Sequence, residues 1–217
     1  MRICVIGATG WIGGSVMREA LSRGMAVTAV GHNPGRLAAL EGVETAVADA
    51  LDTGRLAGVI QGHDAVVCAV TDRSTDDRSL IPNAARSVLA ACEQAGVSRL
   101  VFCGGGGSLE VSPGVRALDQ PGFPPQYRAE ALAQADALDV FRSADTDVEW
   151  TYASPPPHHL EPGEKRGGYH ARVGDTPVVD DDGESRLTSG DFAVAILYAI
   201  TEHVSVGGRF TAAYLDV

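Results

Sequence analysis

The chain has 217 residues, 45% of them hydrophobic and 21% charged, which predicts one globular domain with its own core and excludes wholesale disorder. Seventeen basic side chains against 28 acidic ones leave a formal charge of −11, which argues against a nucleic-acid or anionic-membrane surface. Only one basic residue is a lysine, Lys165. A Walker phosphate loop, which needs lysine directly after its last glycine, is therefore excluded, and any lysine chemistry falls to Lys165 alone.

Apolar runs alternate with amphipathic stretches along the chain. Arg2–Ile6 reads as a strand and leads straight into Gly7-Ala8-Thr9-Gly10-Trp11-Ile12-Gly13-Gly14. Ile12, Val16, Met17, Ala20 and Leu21 then recur at helical spacing, and Arg23-Gly24 closes that helix. Ala26–Val30 is the second strand, Gly31–Gly35 a turn, and a short helix is expected from Arg36. Glu44–Ala48 is the third strand, ending at Asp49, and Ala65–Val70 the fourth, announced by Gly62-His63-Asp64. Ile81, Ala84, Ala85, Val88, Leu89 and Cys92 form the buried stripe of a helix that ends near Gly96. Arg99–Cys103 and Glu149–Ala153 are the fifth and sixth strands, separated by a helix from about Tyr127 to Arg142.

The last third is broken by Pro155-Pro156-Pro157, Pro162-Gly163, Gly167-Gly168 and Asp182-Gly183. A final helix is expected from near Asp191, capped by Thr188 or Ser189, to about Glu202, followed by a closing strand at Arg209–Tyr214. This rhythm predicts an α/β fold, a Rossmann-like doubly wound parallel sheet with helices on both faces. A single domain over residues 1–217 is expected, with about 154–188 forming a small C-terminal substrate-side cap of loops and short strands.

No apolar run is long enough to cross a bilayer, and Met1–Gly7 lacks the layout of an export signal, so a cytoplasmic protein off the membrane is expected. Cys4, Cys68, Cys92 and Cys103 are widely spaced and three of them lie in strand-like runs, which predicts buried free thiols. No metal site is expected: His158-His159 lacks a third ligand at a supporting spacing. Asp180-Asp181-Asp182-Gly183 lacks the distal glutamate of a calcium loop and reads as a hairpin turn.

In an open parallel sheet, ligands bind beyond the carboxyl ends of the strands where the strand order reverses. The loop from Gly7 to Gly13 occupies that place, spaced Gly7, Gly10, Gly13 rather than G-x-G-x-x-G. Its glycines allow a tight turn and close approach of backbone to a pyrophosphate, with Thr9, Trp11 and Ile12 in the same cofactor loop. The plainer alternative is a tight turn with close helix–sheet packing. The second strand ends Val30-Gly31-His32-Asn33 without the acid that usually holds the ribose of NAD, and His32 and Arg36 are placed to meet a 2′-phosphate. NADP (NADPH) is therefore favoured over NAD, the alternative being that both are solvated turn residues. Asp49 is expected near the adenine edge, and Ala69, Val70 and Thr71 on the path to the nicotinamide. Ser154, Pro155 and Pro156 flank the ring, and Trp11 packs against the cofactor edge or the core.

These residues resemble the atypical short-chain dehydrogenase/reductase proteins with an NAD(P)H-binding, NmrA-like domain, and among them the NADH-flavin reductases and biliverdin-IX-beta (flavin) reductase. The resemblance rests on Val5-Ile6-Gly7-Ala8-Thr9-Gly10, Asn33-Pro34, His63-Asp64-Ala65-Val66-Val67, Pro121-Gly122-Phe123-Pro124 before Tyr127, Pro156-Pro157-His158, and Gly183-Glu184-Ser185-Arg186. It implies a nicotinamide-dependent reductase. The chain departs from the Tyr-x-x-x-Lys pair of standard short-chain dehydrogenases, since Ala131 stands four residues after Tyr127. It also carries Gly104-Gly105-Gly106-Gly107 before Ser108, where their catalytic serine follows the fifth strand.

Without that pair, the expected chemistry is hydride transfer by proximity to a flat conjugated acceptor such as a flavin or quinone. Gly104–Gly107 reads either as open floor for such a ring or as a flexible turn. His158 and Tyr127 are the candidate catalytic residues on the substrate side, the alternatives being an exposed loop histidine and a helix-start packing tyrosine. Two other functions stay open: a non-catalytic NADP-binding sensor or regulator, and an isomerase or dehydratase using His158 as acid and base. The expected partner is a small aromatic or conjugated substrate, bound by a monomer or homodimer.

Overall fold

In the computed structural model, which describes residues 1–71, 77–157 and 159–215, β1 (Arg2–Ile6) is buried from its second residue onward, as a strand covered on both faces must be. The chain continues through α1 (Trp11–Ser22), β2 (Ala26–Gly31), α2 (Pro34–Ala38), β3 (Glu44–Val47) and α3 (Thr53–Ile60). β4 (Ala65–Cys68), α4 (Leu80–Ala95) and β5 (Arg99–Cys103) follow, then the short strands β6 (Glu110–Ser112) and β7 (Val115–Arg116). α5 (Arg128–Ser143) leads to β8 (Glu149–Ser154), β9 (His159–Glu161), β10 (Tyr169–Val173) and β11 (Arg186–Thr188). α6 (Ser189–Thr201) and β12 (Gly208–Tyr214) complete the order.

Among the described residues, the central sheet runs β10-β12-β8-β5-β4-β1-β2-β3. Its pairings are parallel except that of β10 with β12. The order reverses at β1: the chain steps outward to β2 and β3, then returns to β4 on the other side. That reversal opens a crevice at the carboxyl end of β1, where the loop from Gly7 begins.

Each face of the sheet buries its own core. On one face Val16 and Met17 of α1 meet Phe192, Ile196 and Ile200 of α6. On the other, Leu56, Ile81, Val88 and Leu138 pack over Phe102, Trp150 and Tyr152. There the Phe102 and Phe141 rings stand 5.1 Å apart, within the range of favourable aromatic pairs.

Most elements begin and end where their capping residues predict. α4 stops at Gly96, which takes φ 68°, and Thr188 caps α6 by accepting from the Asp191 amide at 3.1 Å. α2 starts two residues before the expected Arg36. Asn33 Oδ1 caps the Arg36 amide at 3.1 Å and Pro34 takes the first helical position. α3 is a helix that the apolar pattern did not reveal. It is short, only Leu56 and Ile60 in it are buried, and its signal was the cap Asp52, which accepts from the Arg55 amide at 2.9 Å. β10, inside the cap-like stretch, joins the central sheet as an antiparallel edge strand, while β9 and β11 pair separately. The 180–183 acidic stretch is a turn, closed by Asp180 N to Glu184 O at 2.8 Å and Gly183 N to Asp180 O at 3.0 Å.

The chain around Lys165 is held at two points. The Asp191 carboxylate, 1% exposed, accepts from the amides of Arg166 at 2.8 Å and Gly167 at 3.0 Å, and from Tyr214 Oη. Lys165 Nζ meets Glu19 of α1 at 3.0 Å. Arg23 meets the same carboxylate at 2.8 Å. Against the opposing pull of burial, these two cations hold Glu19 below the usual carboxylate range. The single lysine is thus committed to an ion pair on α1.

All four cysteines are buried and unpaired. Burial pushes the thiols of Cys4, Cys92 and Cys103 up to about 12, and that of Cys68 well above its ordinary value. At pH 8 a thiol of pKa 12 is ionised in roughly one molecule in 10⁴. Native protein mixed with a thiol-reactive chromogen at pH 8 is therefore expected to show almost no fast reaction, and four thiols on addition of denaturant. One thiol reacting rapidly in the native state would contradict this burial. No helix among the described residues is long and apolar enough to cross a membrane.

Candidate functional site

The glycines of the first loop do different work. Gly7 adopts φ 82°, and a Cβ there would lie 2.3 Å from the Ala69 carbonyl oxygen. A Cβ on Gly13 would lie 2.2 Å from the Gly7 carbonyl oxygen. Both glycines are demanded by the fold, which presses the loop against β4 and α1 against the loop. Gly10 is different: it is exposed, and its nearest obstacle, the Gly7 carbonyl oxygen, lies at 3.1 Å. It forms the N-cap of α1, where no side chain caps the helix and no acid occupies the first turn. The leading amides of this twelve-residue helix are thus left to a group from outside, and the open backbone at Gly10 lets an anion approach them.

The neighbouring elements close in around the loop. Arg36 Nη2 reaches back from α2 to the Thr9 carbonyl oxygen at 2.6 Å. Gly31, at the end of β2, is packed between Thr9 and Leu37. His32 follows it and is exposed, as is Arg36. Asp49 lies after β3 and turns its carboxylate to its own backbone, accepting from Leu51 N at 2.9 Å. Ile12 is half-buried against the α1 side of the core. Trp11 is 39% exposed, which removes the core-packing reading and leaves it at the rim of the loop. The Ala69 amide donates to the Ile6 carbonyl at 2.9 Å, so Ala69, Val70 and Thr71 run beside the loop.

On the far side, Ser154 ends β8 and is fully buried, with a hydroxyl that finds no hydrogen-bond partner among the described residues. Pro155 and Pro156 follow it. Tyr127 stands immediately before α5 and is 47% exposed. His158 lies outside the described residues. Its neighbour His159 faces Glu184, Nε2 to Oε2 at 3.5 Å.

Gly104–Gly107 is neither open floor nor a loose turn. A Cβ at Gly104 would lie 1.8 Å from the buried Tyr152 ring, and at Gly105 2.9 Å from Gln134 Cβ. At Gly106 it would meet the Pro155 carbonyl oxygen at 2.6 Å, and at Gly107 the Ala131 Cβ at 2.9 Å. The space in front of each glycine is already filled by the protein, and the Tyr152 hydroxyl beneath them is tied to the Gln134 carbonyl at 2.6 Å.

Glu130 escaped the sequence reading. In the first turn of α5 it accepts a short hydrogen bond from the Thr71 hydroxyl, linking the end of β4 to the start of α5. Its only sequence signal was an acid at a helix N-terminus, which the helix dipole favours anywhere. The residues present fit a dinucleotide: a glycine cradle a Cβ would narrow, an uncapped helix start, an arginine beside it, and an orphaned buried hydroxyl at the end of β8. No cluster of side chains able to hold a metal ion occurs among the described residues.

Comparison with known proteins agrees with this arrangement. A family model described as NAD(P)H-binding matches residues 7–202. A candidate exported protein from Burkholderia pseudomallei is 34% identical, with a TM-score of 0.88 over 99% of this chain and 100% of that one. A candidate epimerase from Bacteroides thetaiotaomicron is 28% identical, with a TM-score of 0.89 over 100% and 98% of the two chains. A candidate NADH-flavin reductase from Streptococcus pneumoniae is 26% identical, with a TM-score of 0.81 over 99% of each. The names differ while the fold barely changes, so the acceptor has to be argued from the site.

Proposed function

The chain belongs to the NAD(P)H-binding family, and on that premise we propose that it is an NAD(P)H-dependent reductase passing hydride to a flat conjugated acceptor such as a flavin or quinone. The observation that carries the reading is Gly10. It is exposed, it adjoins an uncapped helix at the point where the strand order reverses, and the fold makes little demand for a glycine there. When bound, the cofactor supplies the hydride.

The roles follow from position. Gly7, Gly10 and Gly13 shape the pyrophosphate cradle, with Thr9, Trp11 and Ile12 around it. His32 and Arg36 take the adenosine 2′-phosphate, which favours NADP, and Asp49 lies toward the adenine. Ala69, Val70 and Thr71 face the nicotinamide half from one side, and Ser154, Pro155 and Pro156 from the other. Tyr127 serves the substrate side, to which the sequence pattern also assigns His158. Lys165 is held by Glu19, so no lysine assists a tyrosinate. A flavin or quinone suits such a site because its reduced form is a stable anion that water can protonate. The structural likeness to a candidate NADH-flavin reductase supports the same choice.

The test is loss of nicotinamide absorbance on mixing the protein with NADPH and, in turn, FMN, riboflavin and a soluble quinone. Turnover proportional to protein concentration with at least one acceptor is expected. The filled space at Gly104–Gly107 favours a second reading, an NADP-binding sensor or regulator, because it offers no floor there for an acceptor ring. NADPH binding without turnover of any acceptor would establish that reading instead.

A further inference from the structure

The link between Thr71 and Glu130 joins residues 59 apart in sequence at the edge of the glycine cradle. Thr71 stands two residues beyond Ala69, whose carbonyl oxygen occupies the space a Gly7 side chain would need. Glu130 comes from the first turn of α5. Further along the same helix, Asp136 takes Arg78 Nη2 at 2.7 Å, a second tie between α5 and the chain leading from β4 into α4. The start of α5 is thereby held alongside the end of β4.

A hydroxyl carries one proton and two lone pairs, whereas a carboxylate only accepts. The Thr71 proton is directed to Glu130. What Thr71 can offer any other group is therefore a lone pair, and the partner must be a donor. On the nicotinamide ring of a dinucleotide, whose N1 is taken up by the ribose, the carboxamide N–H is that donor.

We propose that Glu130 is a positioning residue that fixes Thr71 as a hydrogen-bond acceptor for the nicotinamide carboxamide, a role that rests on the reductase reading above. Thr71 selects for the ring half of the cofactor, and Glu130 contributes to that selection through Thr71.

The experiment compares two ligands, NADPH and ADP-ribose 2′-phosphate, which lacks the nicotinamide ring, by fluorescence titration or calorimetry. Thr71→Val and Glu130→Ala are expected to weaken NADPH about tenfold, the scale of one lost hydrogen bond. The same variants should change the affinity for ADP-ribose 2′-phosphate less than about twofold, which also shows that they are folded. Glu130→Gln keeps a carbonyl acceptor for the Thr71 proton and is expected to restore most of the NADPH affinity. Equal losses for both ligands, or no loss for either, would overturn the assignment while leaving the reductase reading in place. Wild-type protein that bound neither ligand would overturn both.

Discussion

Gly13→Ala is expected to lose about 3 kcal/mol of stability and to bind NADPH at least tenfold more weakly. Two effects oppose each other at this position. Alanine is the better helix former, worth about 1 kcal/mol inside α1. Its Cβ, however, would lie 2.2 Å from the Gly7 carbonyl oxygen and 2.8 Å from the Gly7 carbonyl carbon. Both obstacles are backbone, so helix and loop must move apart, and the overlap outweighs the propensity. Gly10→Ala provides the contrast. Its Cβ would meet the Gly7 carbonyl oxygen at 3.1 Å, which a small shift relieves, so a stability cost of about 1 kcal/mol or less is expected. Its NADPH affinity should still fall about tenfold, because the methyl stands where an anion must approach the helix. Urea unfolding and NADPH titration of the two variants separate the effects. Wild-type affinity in Gly10→Ala would remove the pyrophosphate role of the loop.

The second large effect is expected at Asp191. Alanine there leaves the amides of Arg166 and Gly167 and the hydroxyls of Thr188 and Tyr214 without their shared acceptor. The loss is expected to be about 4 kcal/mol, since several donors are stranded and a negative charge leaves the start of α6. An asparagine side chain keeps one acceptor oxygen, so Asp191→Asn should cost about half as much. Limited proteolysis adds a local readout: cleavage near Arg166 should accelerate in Asp191→Ala before global unfolding does. An unchanged urea midpoint for Asp191→Ala would show that this carboxylate does not anchor the segment.

Much of the fold was legible because its signals are local. Gly96 ends α4 and Thr188 starts α6 through contacts a few residues long, and the glycine spacing after β1 marks the crevice without reference to distant residues. α3 was missed because only Leu56 and Ile60 in it are buried, too few for a periodic stripe, although Asp52 signalled its start. At the candidate site, the cradle and the flanking strand ends could be named in advance, while the relation of Arg36 to Thr9 could not.

The composition already showed that a single lysine restricts the chemistry, and the run of strands and helices placed the glycine loop at the reversal of strand order. Both follow from residue identity and short-range pattern. Only the tertiary structure decided what those residues do. Lys165 is held by Glu19, 146 residues away, and the glycines 104–107 are filled by Tyr152, Gln134, Pro155 and Ala131. Thr71 gives its proton to Glu130. Contacts between residues far apart in the chain leave no periodicity behind them; they exist only once the sheet has brought the strand ends together.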